Sequence, residues 1–101
     1  MDSLTPPYNP TVIDVTSDED QDYQIDLGTL PIRLSVQINC SEAADTKLYG
    51  GNDVDGYVQL GATITSYPAL VEFAEPSFRY FQVTVEPSIE ADIAITLASK
   101  L

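Results

Sequence analysis

From about residue 23 onward the chain alternates. Leu30 to Cys40, LPIRLSVQINC, sets Ile32, Leu34, Val36, Ile38 and Cys40 at every second position with Arg33, Ser35, Gln37 and Asn39 between them. That period of two is the pattern of a strand with one buried face. Phe78 to Glu86, FRYFQVTVE, predicts a central strand, with Phe81, Val83, Val85 and Arg79 on one face and Phe78, Tyr80, Gln82 and Thr84 on the other. After a Pro87-Ser88 turn, Ile89, Ala91, Ile93, Ile95 and Leu97 alternate with Glu90, Asp92, Ala94 and Thr96 in the last strand. Ala69 to Ala74 is a further strand with Val71 and Phe73 on one face. No stretch has a helical period. Short alternating strands separated by turn residues predict an antiparallel β-sandwich.

The stretch Lys47 to Gly61, KLYGGNDVDGYVQLG, reads as two strands joined by a tight acidic turn. The polar run Ser41 to Thr46 is a loop leading into it. Gly50, Gly51, Asn52 and Gly56 are residues that tolerate positive φ, as a compact antiparallel connection requires. Ala62 to Thr65 continues that strand or begins another, and Tyr67-Pro68 marks a turn in which a cis bond is possible.

Residues 1–22 differ in kind. Pro6, Pro7 and Pro10 oppose regular structure, and Asp18, Glu19, Asp20 and Asp22 repel one another, which predicts a flexible arm ahead of a sandwich spanning residues 23–101. Within the arm, Thr11 to Thr16 is β-prone, and Val12, Ile13 and Val15 can add a strand to a sheet edge of this molecule or of a neighbour. Asp18, Asp20 and Asp22 fall at the first three ligand spacings of a calcium loop. The position that needs Gly is Tyr23 and the one that needs a bidentate Glu is Thr29, so a solvated acidic linker is the better account.

Charge narrows the partners. The chain's 101 residues carry 16 acidic and 4 basic side chains, a formal charge of -12. Nucleic acid and anionic membranes are bound through Lys and Arg, so neither is an expected partner. The start, MDSLTPPYNP, has neither the basic region nor the apolar core of a signal peptide, and no apolar run approaches the roughly 20 residues that span a bilayer. A chain made in the cytoplasm without a secretion signal is the expectation.

Candidate chemistry is sparse. The chain has no histidine, which excludes Ser-His-Asp and Cys-His arrangements. The lone Cys40 cannot form an internal disulfide and reads as a small buried hydrophobe. No glycine-rich phosphate motif is present, and no cofactor is expected. Paired carboxylates for glycoside hydrolysis arise by accident among 16 acids, and a small sandwich offers little room for a cleft, so the chain is read as no enzyme. Arg79 is expected to pair with a carboxylate or to stack on Tyr57 or Tyr80. Asn52, Asp53 and Asp55 at the turn tip are ordinary turn formers or contacts for a cation or sugar hydroxyls.

Taken together, LYGGNDVDGYVQLG, FRYFQVTVE and the closing ADIAITLASK resemble small β-sandwich structural proteins of tailed bacteriophages, over about residues 30 to 99. Discoidin-like carbohydrate-binding sandwiches share a related turn-aromatic-Leu pattern. Tyr57 stands where Trp is usual in these families, and Val54 interrupts the Asn-Asp-Gly run. The resemblance implies an all-β fold, a small antiparallel β-sandwich of jelly-roll or discoidin-like type with an extended N-terminal arm. It also implies a virion setting, a capsid decoration or cement protein, with the major capsid protein or other virion proteins as partners and self-association on the virion as a further contact. The arm, through Pro6, Pro7, Tyr8, Val12, Ile13 and Val15, would reach across neighbouring subunits. Two other readings stay open: a module on capsid or tail fibre that binds host glycan through its acidic turn, and a head-tail or tail adaptor subunit.

Overall fold

The computed structural model describes residues 11–27, 33–53, 55–74 and 76–100. Among these residues eight strands follow in order: β1 (Thr11–Ser17), β2 (Gln21–Asp26), β3 (Arg33–Cys40), β4 (Ala44–Gly51), β5 (Val58–Gln59), β6 (Ala69–Ala74), β7 (Tyr80–Pro87) and β8 (Ala91–Lys100). They form two four-stranded antiparallel sheets, one in the order β1-β8-β3-β6 and the other β2-β7-β4-β5. Only β4 and β5 are consecutive in the chain and adjacent in one sheet. This interleaving is the jelly-roll arrangement of eight strands.

The strictest alternators occupy the sheet centres. Leu34, Val36, Ile38 and Cys40 of β3 and Ala91, Ile93, Ile95 and Leu97 of β8 face Ala44 and Leu48 of β4 and Phe81, Val83 and Val85 of β7 across the core. Each large aliphatic or aromatic member contributes about 1.5–3 kcal/mol by leaving water. Near the β4–β5 turn, Phe73 of β6 and Phe81 of β7 bridge the two sheets with Phe78. Phe78 stacks on Phe81 at 5.9 Å, and Phe73 meets both rings edge-on at 5.8 and 5.9 Å.

The β-prone run of the arm adds a strand to a sheet edge of this molecule, one of the two placements expected of it, and the acidic stretch after it forms a second strand where a linker was expected. Residues 11–17 and 21–26 are not an appendage: β1 pairs with β8 along its length and β2 pairs with β7, so each forms one edge of its sheet. Ile13 and Val15, together with Tyr23 and Ile25, pack against the core. Burying these apolar side chains outweighs the repulsion of the acidic residues, which are confined to the turn between the strands or point to solvent. There Ser17 Oγ accepts from the Glu19 N–H at 3.0 Å and from the Gln21 amide at 3.1 Å, tightening the turn. Pro6, Pro7, Tyr8, Pro10 and Ile32 lie outside the described residues.

Three smaller differences have local causes. The expected loop 41–46 is shorter, because Ala44 and Thr46 continue the inward face of β4 opposite Pro87 and Val85. Phe78 and Arg79 precede β7 instead of opening it; Phe78 joins the aromatic cluster and Arg79 is exposed. Gly50 and Gly51 do not adopt positive φ, which among the described glycines is found at Gly61, φ 75°. They serve close approach: a Cβ on Gly50 would lie 2.8 Å from Phe78 Cγ, and one on Gly51 would run into the Gly56 carbonyl. The Tyr67-Pro68 bond is cis.

Candidate functional site

The acidic turn is held by its own polar groups. Asn52 Oδ1 accepts the Arg79 N–H at 3.0 Å, fixing the turn to the segment that enters β7. The Asp53 carbonyl accepts from the Gly56 N–H at 3.0 Å, and its carboxylate lies 3.4 Å from the Asp55 N–H. Asn52, Asp53 and Asp55 are all exposed. The structure brings the three together, but the side-chain oxygens of Asn52 and Asp53 are turned to backbone donors of the protein itself. That is the geometry of a turn former.

Arg79 does both things expected of it. Its guanidinium makes two contacts with the Asp26 carboxylate, Nε to Oδ1 at 3.0 Å and Nη2 to Oδ2 at 3.1 Å, and lies 5.2 Å from the centre of the Tyr80 ring. The hydrogen bond and charge of Asp26 raise the Arg79 pKa still further. This fork closes the edge of the second sheet, alongside a bond from the Leu27 N–H to the Arg79 carbonyl at 2.8 Å.

A second polar cluster escaped sequence reasoning. The Tyr67 hydroxyl lies 2.7 Å from Thr46 Oγ1, 2.9 Å from the Ala44 carbonyl and 3.0 Å from the Ile64 carbonyl. The phenol has one proton, which is directed at the carbonyls, so the fully buried Thr46 hydroxyl must donate to Tyr67. Burial pushes both the Tyr67 hydroxyl and the Cys40 thiol above their ordinary pKa values. A thiol kept protonated on a buried strand face is a poor nucleophile.

The cluster has a structural purpose. The Ser88 N–H donates to the Ala43 carbonyl, so by the alternation of antiparallel bonding Ala44, Thr46 and Leu48 turn their polar backbone groups away from β7, toward the open side of β4. Those groups meet the segment 60–67: Leu60 N–H to the Leu48 carbonyl at 2.7 Å, a reciprocal pair between Thr46 and Ile64 at 2.9 and 2.8 Å, and Tyr67 to Ala44. Residues 60–67 thereby finish the edge that the two-residue β5 leaves bare.

The surface is strongly polarised. The turns 18–20, 41–43 and 88–90 lie at one end of the sandwich and contribute Asp18, Glu19, Asp20, Glu42 and Glu90, with Asp22, Asp45, Glu86 and Asp92 just inside the adjoining strands. Over half of the 16 acidic side chains are therefore at this end. Lys47 stands nearby and pairs with Glu86 at 3.5 Å. Among the described residues no three carboxylate or thiol groups are arranged to hold a metal ion. Of the arm residues named for partner binding, Ile13 and Val15 are partly buried in this molecule's own core, while Val12 is 64% exposed. Among the described residues Leu70, Val58 and Ile89 are the other large apolar side chains left in water.

Comparison with family models and with curated protein sequences matches nothing. Solved structures do share the fold. The SPBc2 prophage-derived protein YomS is similar with a TM-score of 0.63 at 14% identity, over 90% of this chain and 96% of that one. The Yersinia pseudotuberculosis-derived mitogen has a TM-score of 0.63 at 9% identity, over 93% and 87% of the two chains. The Aeromonas hydrophila periplasmic inhibitor of g-type lysozyme, PliG, has a TM-score of 0.61 at 10% identity, over 97% and 90%. At such identities the likeness is one of fold: this chain is a small two-sheet antiparallel β-sandwich of a kind shared by a prophage-derived protein, a mitogen and a lysozyme inhibitor.

Proposed function

We propose that the chain is a non-enzymatic structural subunit of a tailed-bacteriophage virion, a decoration or cement protein attached to the capsid surface. The observation that carries the reading is the likeness to a prophage-derived protein over nearly the whole of both chains. The jelly-roll architecture is in addition one that viral capsid domains use. The polar clusters around Arg79 and Tyr67 are engaged in holding the fold, which leaves surfaces as the working parts. Because Ile13 and Val15 are taken up by the sandwich itself, attachment falls to Val12 and to the residues ahead of it, among them Pro6, Pro7 and Tyr8. The acidic end would meet a cationic surface of the major capsid protein or another virion protein.

An epitope-tagged chain supplied during phage growth is expected to co-sediment with intact particles and to label the head in immunogold electron microscopy. Label on the tail would favour an adaptor. A chain recovered only in the soluble fraction would overturn the proposal. A truncation that begins at Thr11 keeps every described strand and is expected to fold but to leave the particles.

A further inference from the structure

The outer face of the second sheet carries an arrangement that the virion reading does not use. Register places Gln24 of β2 opposite Gln82 of β7, Gln82 opposite Tyr49 of β4, and Tyr49 opposite Gln59 of β5. Their neighbours Tyr23, Ile25, Phe81, Val83 and Leu48 point into the core, so these four point out. Together they form one row across all four strands, about 14 Å from end to end at the usual spacing of neighbouring strands. Gln24 and Gln59 are exposed, and Gln82 and Tyr49 are half-buried. The Gln82 and Gln59 amide nitrogens bond the hydroxyls of Thr84 and Thr63 at 3.4 and 3.3 Å, which orients the amides.

The row itself carries no formal charge in a chain of -12, and of the charges two positions away on the same face Asp26 is paired with Arg79 and Lys47 with Glu86, while Asp22 stands at the edge beside Gln24. Three classes of occupant fit it badly. Anions are repelled by the net field. A cationic surface is drawn instead to the acidic end. An aliphatic partner finds no aliphatic side chain in the row. What remains is an uncharged ligand that both donates and accepts hydrogen bonds, as glutamine amides and a phenol do, and that has an apolar C–H face to lay on an aromatic ring. Polyols have these properties, and a row that crosses four strands suits an extended chain of sugars better than a single one. Jelly rolls also serve as lectin domains.

We propose that the Gln24–Gln82–Tyr49–Gln59 row binds a neutral, linear polysaccharide, and that the hairpin tip at Asn52, Asp53 and Asp55 does not. The inference is independent of the virion reading.

The test is a nitrogen-15 NMR titration of the full chain with cellohexaose, xylohexaose, maltohexaose and chitohexaose, with alginate as an anionic comparator. At least one neutral hexasaccharide is expected to give saturable shifts at the Gln24, Gln82 and Gln59 side-chain amides and at Tyr49, while residues 52–55 stay unmoved and alginate has no effect. Gln82→Ala and Tyr49→Ala should each weaken that binding about tenfold, the loss of one good contact, with the circular dichroism spectrum unchanged. The proposal is overturned if no neutral hexasaccharide gives a saturable shift at millimolar concentration, or if shifts centre on residues 52–55 and survive Gln82→Ala. It is equally overturned if the row shifts with protein concentration alone, which would assign it to a second copy of the chain.

Discussion

Replacing Tyr67 with Phe should be among the most damaging single-atom deletions in this protein. The change removes only the hydroxyl, and the ring can stay where it is. Its loss leaves the Thr46 hydroxyl, 0% exposed, without the partner 2.7 Å away, and deprives the Ala44 carbonyl of its donor at the open side of β4. A buried polar group left unsatisfied costs about 1–3 kcal/mol, and the edge carbonyl adds about 1 kcal/mol, for a total of about 2–4 kcal/mol. Domains of this size hold about 5–15 kcal/mol in all. The melting temperature should therefore fall by roughly 10–25 °C. Urea unfolding followed by far-ultraviolet circular dichroism measures the loss. Hydrogen exchange should show the amides of Thr46, Leu60 and Ile64 opening first. Adding Thr46→Val, which removes the stranded hydroxyl, should recover about 1–2 kcal/mol relative to Tyr67→Phe alone. A loss below about 0.5 kcal/mol for Tyr67→Phe, or a double variant whose cost equals the sum of the two single ones, would refute the reasoning.

Burial raises the pKa of Tyr23, Cys40 and Tyr67, so the unfolded chain sheds these protons first as pH rises. Their stabilising effect is whole below the unfolded values, about 8.5 for the thiol and 10 for the phenols, and is lost as pH climbs through the raised folded ones. Stability measured from pH 8 to 11 should fall, and fall less steeply in Tyr67→Phe. Gly50→Ala drives a methyl group to 2.8 Å from Phe78 Cγ and 3.0 Å from Leu60 Cδ1 and should cost about 1–3 kcal/mol in chemical denaturation. Asn52→Ala should cost about 0.5–1.5 kcal/mol by freeing the Arg79 N–H, with faster amide exchange at Arg79 as its local signature; no change there would remove the turn-former role. Replacing both Asp14 and Glu72 with Val should make the protein self-associate in analytical ultracentrifugation, and a monomer at high concentration would count against a guarding role for these edge carboxylates.

The sandwich was legible in the sequence because three strands, β3, β7 and β8, announce a buried face by alternation, and the edge strand β6, free of like charges crowded together, still shows Val71 and Phe73 on one face. β1 and β2 were harder to read for a physical reason. An edge strand buries less of its inward face, so Ile13, Val15, Tyr23 and Ile25 are only partly covered and the flanking charges dominate the local composition. The start of β4 was hidden by residue size: Ala44 and Thr46 face inward, but neither carries a large apolar signal. Gly50 suggested a φ requirement when its purpose is to make room for Phe78, which lies beside it only after folding. The same holds for Asn52 and Tyr67, whose partners Arg79 and Ala44 are 27 and 23 residues away. Register was equally hidden, and with it the row from Gln24 to Gln59. The sequence supplies the outward positions of each strand, but only pairing tells which stand opposite one another.

The distribution of charge joins these observations. A sandwich has open edges, and an open edge is a template for pairing with another chain. Here the outward face of every longer edge strand carries a carboxylate: Asp14 at the middle of β1, Asp22 and Asp26 on β2, and Glu72 on β6, while β5 is only two residues long. Two copies joining antiparallel through β1 or β6, with faces matched and strands overlapping almost fully, would bring Asp14 or Glu72 close to its own counterpart. Like charges across a strand pair are destabilising. The apolar Val12 and Leu70 lie beside those same carboxylates, on the same outward faces, so the residues best suited to an interface are guarded against the commonest unwanted partner, another copy of the chain. A cationic partner would lift that guard by neutralising the acids, whereas an uncharged one is best placed where the neighbouring charges are mostly paired, as Asp26 is with Arg79 and Lys47 with Glu86 beside the row. The acidic end and the neutral row thus answer to two different kinds of contact, and ionic strength separates them: added salt should weaken the first and leave the second unchanged.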